Sequence, residues 1–155
     1  MAFKPITAEH DTDVLLALDN QVCFALYSAS LAMTKLYKPL LAKLGLTYPQ
    51  YLTMLALWED DGQTVSALGE RLLLDSGTLT PLLKRLEALG LIQRKRSSED
   101  ERRVHISLSP AGRKLKARAA TIPACILAAS QCSVSDLVAL NRQVRDFRSR
   151  ILQAQ

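Results

Sequence analysis

The chain has 155 residues, 48% of them hydrophobic and 5% aromatic, and a net charge of +5 at pH 7. This length suits one domain whose core needs no disulfide or metal, and the charge favours a polyanionic partner such as nucleic acid or an anionic membrane. The N-terminal stretch is acidic where a signal peptide would be apolar, and no apolar run approaches the roughly 18 residues of a membrane span. Because the three cysteines form no paired framework and the histidines have no ligand-spaced neighbours, we expect a cytoplasmic protein with no membrane partner, metal or cofactor.

The first predicted helix runs from Asp13 to about Leu44, where leucine and valine recur at helical spacing. Pro39 should end or kink this helix, because proline has no N–H to donate. Thr47 and Pro49 predict the cap and first turn of a second helix, which runs to about Asp60.

Two shorter helices are predicted next. Thr64 or Ser66 is the candidate cap of the first, and Asp75 with Ser76 begins the second, which Gly90 closes. Their close succession predicts a helix-turn-helix.

The second of these helices has an apolar face and a polar face. The leucines of its apolar stripe are Leu79, Leu82, Leu83, Leu86 and Leu89. The opposite face and its margins carry Ser76, Gly77, Thr80, Pro81, Lys84 and Arg85. Small residues followed by cations suit a helix that enters the DNA major groove with its N-terminal end, although an ordinary solvated face has the same pattern. Pro81 predicts that the helix begins near Thr80 or bends there.

A basic β-hairpin, or wing, follows the helix-turn-helix. An Arg-Lys-Arg run precedes a polar turn, and the return strand alternates apolar and polar residues up to Ser109. The candidate DNA contacts on this hairpin are Arg94, Arg96, Asp100, Arg102 and Arg103. Arginine and lysine at both strands suit phosphate contacts and insertion into the minor groove, and an acid such as Asp100 can orient an arginine. The alternative is a solvated charged hairpin.

The C-terminal part is predicted to be helical again. Ser109-Pro110 caps a helix that Pro123 interrupts, and Ser133 with Asp136 forms a capping box for a final helix. That helix carries a seam spaced three and four residues apart, namely Leu137, Leu140, Val144, Phe147 and Ile151. Since no segment remains to cover this seam, we expect it to pack with the N-terminal helix of a second chain.

These elements predict a mainly helical fold with a small β-wing in a single domain. Residues 64–109 form a winged helix-turn-helix that binds DNA, and residues 13–60 and 110–153 form a helical dimerisation region.

This order of elements resembles the MarR family of dimeric bacterial transcription regulators. The most specific match is the wing motif D-x-R-x₅-L-[ST], here Asp100-Glu101-Arg102 through Leu108-Ser109, and LDSGTLTPLLKRLEALGLI is similar to the recognition helix of that family. The resemblance covers almost the whole chain. It implies a homodimer that binds a pseudo-palindromic operator in double-stranded DNA.

Within the family, the N-terminal part resembles the branch that senses organic hydroperoxides, in DNQVCFALYSAS, KLY and LTYPQYLTMLALWE. The resemblance implies that Cys23 is the sensing thiol and that Tyr27, Tyr37 and Tyr48 reach it, some of them from the other subunit. A thiolate that attacks a peroxide becomes a sulfenic acid, and tyrosine hydroxyls can donate hydrogen bonds to the thiolate. The alternative is that Cys23 is a small core residue beside packed tyrosines.

Two further cysteines bear on the step after oxidation. Some members of this branch form a disulfide with a C-terminal cysteine of the partner subunit, and others use a small thiol. Cys125 is the favoured resolving cysteine and Cys132 is the second candidate. The alternative is that neither cysteine takes part in this step.

The resulting prediction is a repressor, not an enzyme, that releases its operator when an organic hydroperoxide oxidises Cys23. One alternative is a MarR-type repressor released by a small aromatic or anionic ligand. Another is a thiol peroxidase that uses Cys23 catalytically, against which the DNA-binding wing argues.

Overall fold

The computed structural model describes residues 12–96 and 103–154, so the candidate residues Asp100 and Arg102 lie outside the described part. The helices and strands in chain order are α1 (Thr12–Leu16), a 3-10 turn (Leu18–Asn20), α2 (Val22–Ala42), α3 (Tyr48–Glu59), β1 (Gln63–Thr64), α4 (Val65–Leu72), α5 (Ser76–Ala88), β2 (Ile92–Arg96), β3 (Val104–Leu108), α6 (Pro110–Ala119), α7 (Ile122–Ser130) and α8 (Val134–Gln153). The predicted mainly helical fold with a small β-wing is confirmed.

The prediction of one helix from residue 13 to 44 is wrong at its start, because α1 and a 3-10 turn precede α2. The side-chain amide of Asn20 donates to the Val14 carbonyl at 2.7 Å, and that of Gln21 donates to the Leu15 carbonyl at 2.6 Å. Such local bonds compete with helix propagation. Pro39 lies inside α2 and does not end it, since the position is exposed and the carbonyl four residues earlier can face water.

The predicted caps of the helix-turn-helix are confirmed. Thr64, rather than Ser66, caps α4 by accepting a hydrogen bond from the Ala67 N–H at 3.2 Å. α5 begins at Ser76 and continues through Pro81, so the predicted late start near residue 80 is wrong. Gly90 follows α5 with φ of +70°, the left-handed conformation that favours glycine at a helix end.

The sheet has three antiparallel strands in the order β1-β3-β2. β2 and β3 pair over five residues, from Ile92 opposite Leu108 to Arg96 opposite Val104. β1 adds only two pairs to the other edge of β3 and was not predicted. The alternation of β3 places Ile106 and Leu108 in the core.

The core lies between the C-terminal end of α2, α3, α4, α5, the sheet, α6 and α7. Its most deeply buried apolar side chains are Leu41, Met54, Leu57, Leu68, Leu79, Leu83, Leu86, Ile92 and Ile106. Leu89 was predicted to join this stripe, but it follows the last turn of α5 and is 51% exposed. Gly112 permits the close approach of α6, because a Cβ there would lie 2.0 Å from the Leu91 carbonyl oxygen.

The C-terminal helices follow the predicted breaks. Pro123 lies in the first turn of α7, and the Ser133–Asp136 capping box begins α8. In the described part of the chain no single helix is long and apolar enough to span a membrane. Segments 110–130 and 134–153 meet those criteria only as a pair, which is bent by 98° at its break.

Candidate functional site

The polar face of α5 is the first candidate surface. Ser76, Gly77, Pro81, Lys84 and Arg85 are exposed and Thr80 is half-buried. The leucines on the other side are buried against the core. One side of α5 therefore offers small and cationic groups to a partner while the other side fixes the helix in place.

Two features fix the N-terminal end of α5. The Asp75 carboxylate accepts hydrogen bonds from the backbone N–H and the hydroxyl of Thr78, both at 2.9 Å, and these bonds lower the pKa of Asp75. Leu73 lies in the turn before it with φ of +55°, and its side chain is 58% exposed. The sequence does not signal this strained residue, because left-handed backbone is usually marked by glycine or asparagine.

The wing cations do not share one environment. Arg96 and Arg103 are exposed. The Arg94 side chain is only 25% exposed and its Nη1 lies 4.0 Å from Glu87 Oε2 on α5. The buried Nε of Arg94 has no hydrogen-bond partner within residues 12–96 and 103–154.

Arg94 and Arg103 line a cleft of about 590 Å³ between α4, α5 and the wing. Thr80 of α5 and Glu70 of α4 face the same cleft. Of the predicted contacts, the structure therefore brings Thr80, Arg94 and Arg103 together in this cleft, while the exposed residues of α5 and Arg96 lie outside its lining.

The second candidate site is a cluster of aromatic rings where α2 meets α3. The ring centroids of Tyr37 and Tyr48 are 4.9 Å apart, and those of Tyr37 and Tyr51 are 5.9 Å apart. Tyr51 also packs edge-on against Trp58 at 6.4 Å. Tyr51 was not among the predicted site residues, although it stands three residues after Tyr48, one turn along the same helix.

Burial raises the pKa of each tyrosine in this cluster. The pKa of Tyr37 is raised further by its neighbours Tyr48 and Tyr51, because a phenolate there would repel theirs. The phenols therefore stay protonated and able to donate hydrogen bonds at neutral pH.

Cys23 is exposed in the first turn of α2. Tyr27 lies one turn further on the same helix and is 62% exposed. Tyr37 follows Cys23 by fourteen residues, which on a helix is a rise of about 21 Å. A single protomer therefore does not bring Cys23 to Tyr37 or Tyr48.

The other two cysteines are also exposed. Cys125 lies within α7, and Cys132 lies in the link to α8, where its Sγ is 3.3 Å from the Ser130 carbonyl oxygen. Across the described ranges no cluster of three or more histidine, cysteine or acidic side chains could hold a metal ion.

A helix-turn-helix followed by a β-hairpin, with cations exposed on α5 and on the hairpin, defines a winged-helix DNA-binding protein. A family model described as transcriptional regulator SarA/Rot matches residues 35–119. The organic hydroperoxide resistance transcriptional regulator of Bacillus subtilis (strain 168) is 59% identical over 122 residues, which are 79% of this chain and 83% of that protein. The HTH-type transcriptional regulator TtmR of Methylorubrum extorquens (strain PA1) is 50% identical over 120 residues, 77% of this chain and 62% of TtmR.

Solved structures of AbfR from Staphylococcus epidermidis share the fold. Reduced AbfR bound to DNA is 31% identical, covers 92% of this chain and 99% of its own, and has a TM-score of 0.71. Disulfide-formed AbfR is also 31% identical, covers 92% of this chain and 94% of its own, and has a TM-score of 0.61. The chain belongs to the MarR family of winged-helix transcriptional regulators, in the branch that resembles organic hydroperoxide regulators. It is a transcriptional regulator rather than an enzyme, so the thiol peroxidase alternative is set aside.

Proposed function

We propose that this regulator is a homodimeric repressor, which binds a pseudo-palindromic operator while Cys23 is reduced and releases it when an organic hydroperoxide oxidises Cys23. The observation that carries this proposal is the separation of groups along α2. The thiol lies at one end of the helix and Tyr37 near the other, packed on Tyr48. A complete thiol site requires Cys23 of one subunit to meet the tyrosine cluster of the other.

Exposed apolar surface supports the pairing of two chains. Leu140, Val144, Phe147 and Ile151 form the seam of α8 and are all 37–55% exposed. Val22, Leu26 and Leu31 of α2 are exposed as well. A monomer rarely leaves this much contiguous apolar surface in water, so residues 13–60 and 110–153 are our candidate dimerisation region.

The DNA-binding half of the proposal rests on α5 and the wing. A two-fold dimer would place its two α5 helices in successive major grooves, about one helical turn or roughly 34 Å apart. The wing arginines would then reach the flanking phosphates and minor groove, and affinity would fall steeply with salt. A regulator of this kind works where the chromosome lies, in the cytoplasm.

The chemistry of release begins with attack of the Cys23 thiolate on a peroxide oxygen. An S–O bond forms, the O–O bond breaks, and an alcohol leaves, so that the thiolate becomes a sulfenic acid. The protonated phenols of Tyr37 and Tyr48 would hydrogen-bond the thiolate and the departing oxygen. Cys125, Cys132 or a small thiol then forms a disulfide and releases water.

Release requires a change in the conformational equilibrium. A shift from 1:99 to 99:1 needs about 5.5 kcal/mol of differential stabilisation. The relative AbfR has been solved in a reduced DNA-bound form and in a disulfide form, which supports a redox change of this kind.

The direct test is an electrophoretic mobility shift with an operator obtained by in vitro selection, with and without cumene hydroperoxide. Wild-type protein should release the DNA on treatment, and C23S should stay bound. Non-reducing gels of C125S and C132S, run beside the wild type, identify which cysteine forms the disulfide. Release of DNA from treated C23S would refute the mechanism.

A second candidate is release by a small aromatic or anionic ligand. An almost wholly apolar pocket of about 220 Å³ between α3 and the α6–α7 junction favours it, with aromatic and apolar walls from Tyr51, Leu55 and Trp58 and with Lys116 and Glu59 both in its lining. Release by salicylate in excess reductant, unchanged in C23S, would support this function over the redox mechanism.

A further inference from the structure

The chain turns from α3 into β1 at residues 60–62, which we call the α3 corner. Asp61 lies at its centre, with a side chain 28% exposed. Its Oδ1 accepts hydrogen bonds from the Gly62 N–H at 2.9 Å and from the Leu108 N–H at 2.8 Å. Its Oδ2 lies 2.8 Å from Nη1 of Arg113 on α6. One carboxylate therefore joins the end of α3, the end of wing strand β3 and the start of α6.

Few other contacts hold β3 to the corner. β1 contributes two residue pairs, Gln63 with Ile106 and Thr64 with His105. His105 Nδ1 also lies 3.0 Å from the Gly62 carbonyl oxygen. These contacts involve residues 105–108 of β3, and the one nearest the tip of the wing, at His105, lies two residues from Arg103.

The α3 corner is therefore bonded to β3 between residues 105 and 108, and the residues of the wing before 105 extend beyond these contacts. Arg103 stands two residues before His105, a distance of roughly 7 Å along an extended strand. A rotation of β3 by about 10° about His105 would move Arg103 by roughly 1 Å, which lengthens a hydrogen bond of about 2.9 Å beyond its usual range. β2 would follow, because it pairs with β3 along its whole length.

We propose that Asp61 is a positioning residue for operator binding, whose carboxylate sets the angle of the wing on the helical scaffold. This inference rests on the proposed function, in which the wing contacts DNA. Asp61 itself touches no DNA in this proposal. It acts on the cations of β2 and the start of β3 by fixing the far end of β3 to α3 and α6.

The test compares four variants by operator affinity and by hydroxyl-radical footprint, at one salt concentration and well below the melting temperature. D61A removes all the Asp61 contacts, D61N keeps an acceptor for the Leu108 N–H but removes the charge, and R113Q removes only the ion pair. E59Q is the matched control, because it breaks the ion pair of Glu59 with Arg71 on α4 and leaves the wing contacts intact.

D61A should bind roughly tenfold more weakly or worse, the size expected when one arginine contact in a groove is lost. Protection should be lost at the outer edges of the operator, under the wings, and kept in the central major grooves. D61N and R113Q should show the same pattern with smaller losses, in that order, and E59Q should match the wild type. Hydrogen exchange of the Leu108 amide should be faster in D61A than in the wild type, and it should be unchanged in the other three variants.

Two results would overturn the proposal: wild-type affinity of D61A with complete outer protection, or a loss of protection spread evenly over the operator. The second result would make Asp61 a general stability residue. If D61A does not fold, the footprints of D61N and R113Q test the proposal by the same two criteria. If the proposed function is wrong, the unsubstituted protein will bind no operator. That result differs from both of the results above, and it would also remove this inference.

Discussion

The winged-helix region, residues 64–96 and 103–109, and the terminal helices, α1, α2 and α8, differ in how far one chain completes them. α5 buries its leucines, begins at a satisfied cap and ends at a left-handed glycine. α8 has an equally good cap but no buried residue at all. Local signals can therefore define a helix such as α8 even where its own chain does not bury its apolar face.

The same contrast separates the two candidate sites. The groups of the DNA-binding surface are gathered within one chain, on α5 and the wing. The groups of the thiol site are split along α2, so that Cys23 and the tyrosine cluster lie at its two ends. We therefore expect changes in the winged-helix region to act within each protomer and changes in the terminal helices to depend on protein concentration.

The largest expected effect is a loss of folding stability when a core side chain of the winged-helix region is shortened. L86A removes a side chain with no exposure and should lower the free energy of unfolding by about 2–5 kcal/mol. Urea denaturation measures the loss, with L152A as control because Leu152 is 51% exposed. Equal losses in the two variants would contradict the assignment of the core.

The next effect concerns the seam of α8. F147A should weaken the proposed dimer by about 2 kcal/mol, because pairing through this seam would bury the aromatic side chain. Sedimentation equilibrium over a range of concentrations measures the dissociation constant. S149A, on the opposite face of α8, should leave the constant unchanged, and an unchanged constant in F147A would exclude this seam from the interface.

A smaller effect is expected on the polar face of α5. K84A should weaken operator binding by about 1 kcal/mol and reduce the slope of log K against log salt by about one. R142A, a charge change on α8, tests whether net charge alone matters. If both variants alter the slope equally, Lys84 makes no specific contact.

Two non-glycine residues with left-handed backbone allow a direct comparison of the regions. Leu73 precedes α5 with φ of +55°, and Gln131 precedes α8 with φ of +54°. L73G should raise the free energy of unfolding by about 0.5 kcal/mol, because glycine adopts this backbone without strain. Q131G should gain a similar amount, because its backbone has nearly the same φ. Thermal melts at equal concentration compare the variants, and a loss of stability in either variant would contradict the strain argument.

The smallest effect is the acid dependence of the α5 cap. Hydrogen bonds from Thr78 lower the pKa of Asp75 in the folded protein. Its stabilising contribution is therefore present above the unfolded pKa of about 3.9 and is lost as pH falls through the lower folded value. The stability difference between wild type and D75N should narrow below about pH 4. If the stability difference between wild type and D75N did not change with pH, titration of Asp75 would be excluded as its cause.

The sequence by itself determined the features that depend on neighbouring residues. The caps at Thr47, Asp75, Ser109 and Ser133 and the closing Gly90 were predicted from local hydrogen-bond chemistry and backbone preference, and the structure confirms them. The alternation of β3 and the cationic face of α5 followed from the two side-chain periods. The family motifs supplied Cys23 and three tyrosines, whose roles stay predictions.

Only the tertiary structure decided the features that join distant parts of the chain. β1, the packing of Tyr51 on Tyr37, the position of Arg94 beside α5 and the contacts of Asp61 have no local signature. Asp61 and Leu108 are 47 residues apart, so nothing in either neighbourhood announces that one carboxylate will bind that N–H. Such contacts arise because the buried faces of the helices and sheet fix where each chain segment ends, and unpaired polar groups then bond to whatever donor lies there.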